Sequence, residues 1–167
     1  MNRIEHDLFI EDQHPIDIVE TLAEDNDWDF DRVGEDQISM TVEGAWRSYS
    51  LSLAWAGSEE VLRLICTFEL DPPEARLPEL LRLLDLANDR MWTGVFTLWR
   101  AQGLMVYRYG LALQGGAVAN AAQLDHMLHG ALLSSERFYP AFQLVCWGDR
   151  VAEDALGIAI AEAYGRA

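Results

Sequence analysis

Three groups of residues in this chain have the types and spacing to do chemistry. The first is the acidic run Asp25-x-Asp27-x-Asp29-x-Asp31, with Asp36 beyond it. Alternating carboxylates resemble the oxygen ligands of a calcium loop. Such a loop needs glycine at its sixth position for the sharp turn and a bidentate glutamate at its twelfth. Those positions here hold Phe30 and Asp36. Trp28 and Phe30 alternate with the acids instead, as a strand with one wet face requires.

The second group is His126 and His129, three apart, with Asp125 four residues before His129. On a helix this spacing turns two imidazoles the same way, where with a third ligand they could hold zinc. The sequence offers no HExxH and no cysteine cluster, so a helix flank is the plainer reading. His6 and His14 lie near the acidic end and are expected to be exposed.

The third group is aromatic. The chain has six tryptophans, five tyrosines and six phenylalanines. Trp46, Trp55, Trp99, Tyr107 and Tyr109 fall in or beside predicted strands. Most strand aromatics belong to a core, but tyrosine and tryptophan also anchor interfaces through large contact area with a polar handle. These five are the candidate partner-binding residues.

Other chemistries find little footing. No serine stands in a G-x-S-x-G elbow, and Ser134-Ser135-Glu136 falls inside a predicted helix. Gly115-Gly116 lacks the spacing and the nearby cation of a phosphate cradle. Among 28 acids, a catalytic pair cannot be chosen without geometry, because a raised pKa needs burial. No catalytic residue, metal or cofactor is therefore expected. The competing reading is a metal-dependent small-molecule binder or enzyme using His126/His129 or the Asp25–Asp36 run.

Composition narrows the partners. The 167 residues carry 12 basic side chains and a net charge of −16. Every basic residue is arginine, which excludes a lysine Schiff base or P-loop lysine. So negative a chain is a poor match for nucleic acid, whose binding rests on concentrated positive charge, and for anionic membrane surfaces. Residues 1–36 hold 13 of the acids and two arginines, so the excess is concentrated there. No signal-peptide run and no stretch of about 20 apolar residues is present. Cys66 and Cys146, each among apolar neighbours, read as free thiols. A cytoplasmic protein is expected.

The elements that must position these residues follow from periodicity. Pro15 opens a helix to about Asp25, with Ile16, Val19 and Leu22 on one face. Asp27–Asp31, Ile38–Val42, Trp46–Trp55 and Val61–Leu70 read as four strands in a meander. Tyr49, Leu51, Leu53 and Trp55 alternate there with Ser48, Ser50 and Ser52. Asp71-Pro72-Pro73 ends the meander. A helix from about Glu74 to Trp92 follows, then strands Val95–Arg100 and Leu104–Leu113 around Ala101-Gln102-Gly103. A long helix starts at Asn120, which Pro140 is expected to kink or divide, and an alanine-rich helix covers Val151–Tyr164. The order α-ββββ-α-ββ-α(α) predicts one α+β domain over 1–167, an antiparallel sheet with helices on one face. Residues 1–13 form an acidic extension and 148–167 a helical tail.

The stretch Glu79–Asn88, then Gly94–Leu98, then Leu104–Arg108 resembles the YbjN-like family of bacterial proteins, as does Arg137-Phe138-Tyr139-Pro140-Ala141-Phe142. Asn88 near the end of the middle helix and Tyr139-Pro140 in the following one fit the family's places for an asparagine and an aromatic-proline step. The resemblance covers about residues 14–147. It implies a fold similar to the dimeric type III secretion chaperones, and a role as a sensory transduction regulator without established catalytic residues. The function expected is a non-catalytic protein-binding, regulatory or chaperone-like one, exercised as a homodimer on another protein.

Overall fold

The computed structural model describes residues 13–165. Residues 1–12, and with them most of the expected acidic extension and His6, lie outside the described residues. Helix α1 (Pro15–Asp25) begins where proline loses no needed donor. The Ile16 N–H donates to Nδ1 of His14 at 3.2 Å, closing the helix start. Strands β1 (Asp29–Arg32), β2 (Gln37–Glu43), β3 (Ser48–Ala56) and β4 (Val61–Glu69) form the meander. A 3-10 turn, Glu74–Arg76, leads into α2 (Leu77–Asp89), so the helix expected from Glu74 starts as a tighter turn and stops short of Trp92. The hairpin β5 (Val95–Trp99) and β6 (Leu104–Ala112), then α3 (Ala121–Trp147) and α4 (Ala152–Gly165), complete the order.

All six strands join one sheet in the order β1-β2-β3-β4-β6-β5, every neighbour antiparallel. Its second hairpin therefore enters with β6 beside β4 and leaves β5 at the edge. One face carries Ile38, Met40, Tyr49, Leu51, Leu53, Leu62, Leu64, Cys66, Phe68, Met105 and Tyr107, all buried. Helices α1, α2 and α3 lie on this face, and α4 packs outside them on α2 and α3. The Phe96 ring meets Tyr107, Phe138 and Phe142 with centroids 5.6, 5.7 and 5.2 Å apart, mostly edge-on.

Pro140 does not divide the long helix. It runs unbroken for 27 residues from a capping box of Asn120 and Gln123 to Gly148. Proline removes one ladder donor and crowds the preceding turn, but Phe138, Tyr139, Ala141 and Phe142 are buried on both sides of it. Packing outweighs the local defect. The expected C-terminal tail also proves to hold a packed helix, with Ala152, Ala155, Leu156 and Ala159 buried. The Ala152 N–H donates to Glu79 at 2.6 Å, Arg82 pairs with Glu153, and Arg76 donates to the Val145 carbonyl at 2.8 Å.

Candidate interaction surfaces

The five candidate aromatics do not form one surface. Tyr107 is a correction: it is buried, and its hydroxyl donates to the Thr93 carbonyl at 3.2 Å. Its ring belongs to the core and offers nothing to a partner. Trp55 and Tyr109 are partly buried against that core, Trp55 with the His14 ring edge-on at 6.3 Å. Trp99 pairs across the hairpin with Leu104 and lies on the opposite sheet face. Trp46 sits in the β2–β3 turn and keeps 38% of its surface exposed.

Around Trp46 a groove of about 300 Å³ runs along α3 and α4. Leu133, Pro140, Ala159 and Ala163 line it, with Glu136, Arg137 and Glu162 at its rim. Leu133 is 69% exposed, although it stands on a helix whose other face is core. The turn that presents Trp46 is fastened from two sides. Glu136 of α3 accepts from the Ala45 and Trp46 N–H groups at 3.1 and 3.4 Å. Arg47 donates to the Glu69 carbonyl at 2.6 Å and lies 5.8 Å over the Tyr139 ring. Gly44 is required there, because a Cβ would strike both the Glu136 carboxylate and the Tyr49 ring. Leu133 and Glu136 were not among the expected site residues. Leu133 was legible only as an apolar residue off the buried stripe of its helix.

The second surface is the sheet face that no described helix covers. Its cross-strand rows follow from the register. One row reads Asp29, Thr41, Ser50, Thr67, Val106, Thr97, and the next reads Asp31, Ser39, Ser52, Ile65, Arg108, Val95. The β1 and β2 side is small, polar and acidic; the β6 and β5 side is apolar, with Arg108 within it.

Asn88, at the end of α2, explains the place its resemblance gave it. Its side chain accepts from the Phe96 N–H at 2.8 Å and donates to the Phe96 carbonyl at 3.0 Å. It thereby occupies backbone groups on the outer edge of β5, which would otherwise be open to pairing.

The candidate chemical groups are dispersed. Asp25 ends α1, Asp27 lies in the following turn at φ 55°, and Asp29 and Asp31 stand on the open face of β1. Asp36 pairs with His14 at 3.0 Å. His126 is exposed, and His129 is held by Asp125 at 3.1 Å and by the Trp28 ring, 5.4 Å between centroids. Among the described residues, no group of three or more His, Cys, Asp or Glu side chains is placed to hold a metal ion. Both cysteines are free and buried. Burial pushes the Cys66 thiol up to about 12, against a small opposing effect of the Ser135 hydroxyl 3.6 Å away. Burial likewise pushes Cys146 up to about 11. Neither is a nucleophile at neutral pH. No helix among the described residues is long and apolar enough to cross a membrane.

Comparison with known proteins agrees with this fold. Curated proteins give no match. Among solved structures, the crystal structure of YbjN from E. coli, there called "a putative transcription regulator", is similar with a TM-score of 0.50. It shares 10% identity, over 92% of this chain and 93% of that one. The family model for YbjN, described as "Putative bacterial sensory transduction regulator", matches residues 15–144, from the start of α1 nearly to the end of α3. This chain belongs to the YbjN family.

Proposed function

We propose that this protein is a non-catalytic, cytoplasmic regulator, chaperone-like in action, that binds another protein and acts as a homodimer. The observation carrying this reading is the groove at Trp46. An exposed leucine, a half-open tryptophan and small alanines form an apolar trough, a shape suited to an amphipathic segment of a partner. Contiguous exposed apolar surface on a soluble domain marks an interaction site more often than chance. The net charge of −16 keeps such a molecule soluble. It also opposes direct contact with DNA, so any influence on transcription would pass through a protein.

The test is capture from the native cytoplasm with three baits: the natural chain, Leu133→Asp, and a control altered at an exposed leucine of α2, away from both surfaces, Leu81→Asp. The reading requires a stoichiometric protein that the natural chain and the control retain and Leu133→Asp loses. A partner retained equally by all three moves the site away from the groove. No stoichiometric partner across several growth conditions removes the binding function itself.

A further inference from the structure

The uncovered sheet face is self-complementary, and we propose that it is where two copies of this chain meet, sheet against sheet, with Asp31 of each copy paired to Arg108 of the other. This rests on the homodimer reading above and names its surface. Three observations support it.

The first is the distribution of charge along one row. Asp31 lies at the β1 end and Arg108 near the β5 end of the row Asp31, Ser39, Ser52, Ile65, Arg108, Val95. Arg108 is exposed, and neither it nor Asp31 makes an ion pair among the described residues. A two-fold axis running along the strands, between β3 and β4, sets β1 of one copy over β5 of the other and β2 over β6. Asp31 then faces the partner's Val95, one strand from the partner's Arg108, and symmetry gives the pair twice. Arginine and the facing aspartate together bridge the roughly 10 Å between packed sheets with one strand spacing, about 4.8 Å, to the side. An axis across the strands would instead set β1 on β1, acids against acids, so the charges select the orientation.

The second observation is size. At the middle of the face stand Ser50, Ser52, Ile65 and Thr67, mostly small side chains that let two sheets approach. Val106, beside Thr67, is already buried, and Ile65 would meet the partner's Ser52. The third is area. Six strands about 4.8 Å apart, carrying these two rows and a third through Glu43, Ser48, Glu69, Leu104 and Trp99, with rows about 7 Å apart, give roughly 500–600 Å² per copy. The pair buries about 1,000–1,200 Å², the lower bound for a specific interface. A reversible dimer follows.

Sedimentation equilibrium of the full chain at about 150 mM salt, where the repulsion between two acidic molecules is screened beyond about 8 Å, tests this. Arg108→Asp and Asp31→Arg should each weaken dimerisation about ten-fold or more, because each places like charges opposite twice. Their combination, Asp31→Arg with Arg108→Asp, should return it to within about three-fold of the natural chain. Both positions are exposed, so far-UV circular dichroism and Tm should stay unchanged and serve as the folding check. A natural chain that dimerises while Arg108→Asp dimerises equally well overturns the proposed face and leaves the dimer standing on another. If the swap fails to restore what the single changes lose, the pairing of Asp31 with Arg108 is wrong. A natural chain monomeric up to millimolar concentration removes the dimer and the face together.

Discussion

At the scale of single residues, several polar side chains among the described residues hold distant backbone. Asn88 is the clearest case: one amide satisfies both backbone groups of Phe96. Replacing it with alanine leaves a partly buried N–H and C=O to find water, at a cost of about 1–3 kcal/mol. Urea unfolding of Asn88→Ala should show a lower midpoint with an unchanged slope. The thiols make a second prediction. Burial raises Cys66 from 9.0 to about 12, Cys146 from 9.0 to about 11 and Tyr107 from 10.0 to about 12. Each is neutral when protonated, so below pH 9 neither folded nor unfolded chain gains from ionisation. As pH rises above 9 the unfolded chain ionises first and is favoured, so stability falls progressively towards pH 12. Tm measured from pH 8 to 11 should be flat to about 9 and then drop. Cys66→Ala should make that drop shallower, though the cavity it leaves lowers the starting value. At pH 8 a thiol reagent should find neither cysteine until denaturant is added.

At the scale of elements, the reading from sequence succeeded where local chemistry decides the structure. Pro15 marked the start of α1, where its missing N–H costs nothing, and Asn120 that of α3, which it caps with its own side chain. Alternation in Tyr49–Trp55 gave the buried face of β3 directly. It failed where the decision is made by distant partners. Nothing in Val95–Trp99 says that β6, not β5, pairs with β4, since both strands of a hairpin carry the same local signals. Periodicity could not tell that Tyr107 faces the core and Trp99 the open side. Both alternate, and only the pairing of β6 with β4 fixes which parity is inward. The expected division at Pro140 failed for the same reason, its local penalty being smaller than the burial around it. The groove was legible only in part: Trp46 was singled out, but its turn is set by Glu136, some 90 residues away in sequence. The junction of α2 and β5 gives the prediction at this scale. Gly94 holds φ 78°, and a Cβ there would collide with the Tyr107 ring. Gly94→Ala therefore carries both left-handed strain and a steric clash. A loss of about 2–3 kcal/mol is expected, read by chemical denaturation. In Gly94→Ala with Tyr107→Phe the hydroxyl part of the clash is gone, so the second loss should be less than additive.

At the scale of the whole molecule, charge and architecture have to be reconciled. Eleven of the sixteen excess negative charges belong to residues 1–36, and within the described part they gather on α1, β1 and the turn between β1 and β2. One cation answers them. Arg32 pairs with Asp17 at 2.9 Å and Glu20 at 2.6 Å, and donates to the Gly34 and Glu35 carbonyls. It ties helix, strand and turn together; desolvation lowers its pKa, but Asp17 and Glu20 together outweigh that and raise it, so it stays charged throughout the accessible range. Isolated surface pairs are worth little, about 0–1 kcal/mol, but here removing the cation also leaves like charges facing one another. Added salt screens that repulsion, so the natural chain should become more stable as sodium chloride rises from about 10 mM to 150 mM. Arg32→Gln should lose more at the low end, about 1 kcal/mol or some 2–4 °C in Tm, and converge towards the natural chain at about 500 mM. Thermal unfolding of both across that range decides the point. Parallel curves, equally displaced at every salt concentration, would mean that Arg32 acts through its two carbonyl bonds alone. In that case the acidic first fifth of the sequence is a solvated surface that costs the fold nothing.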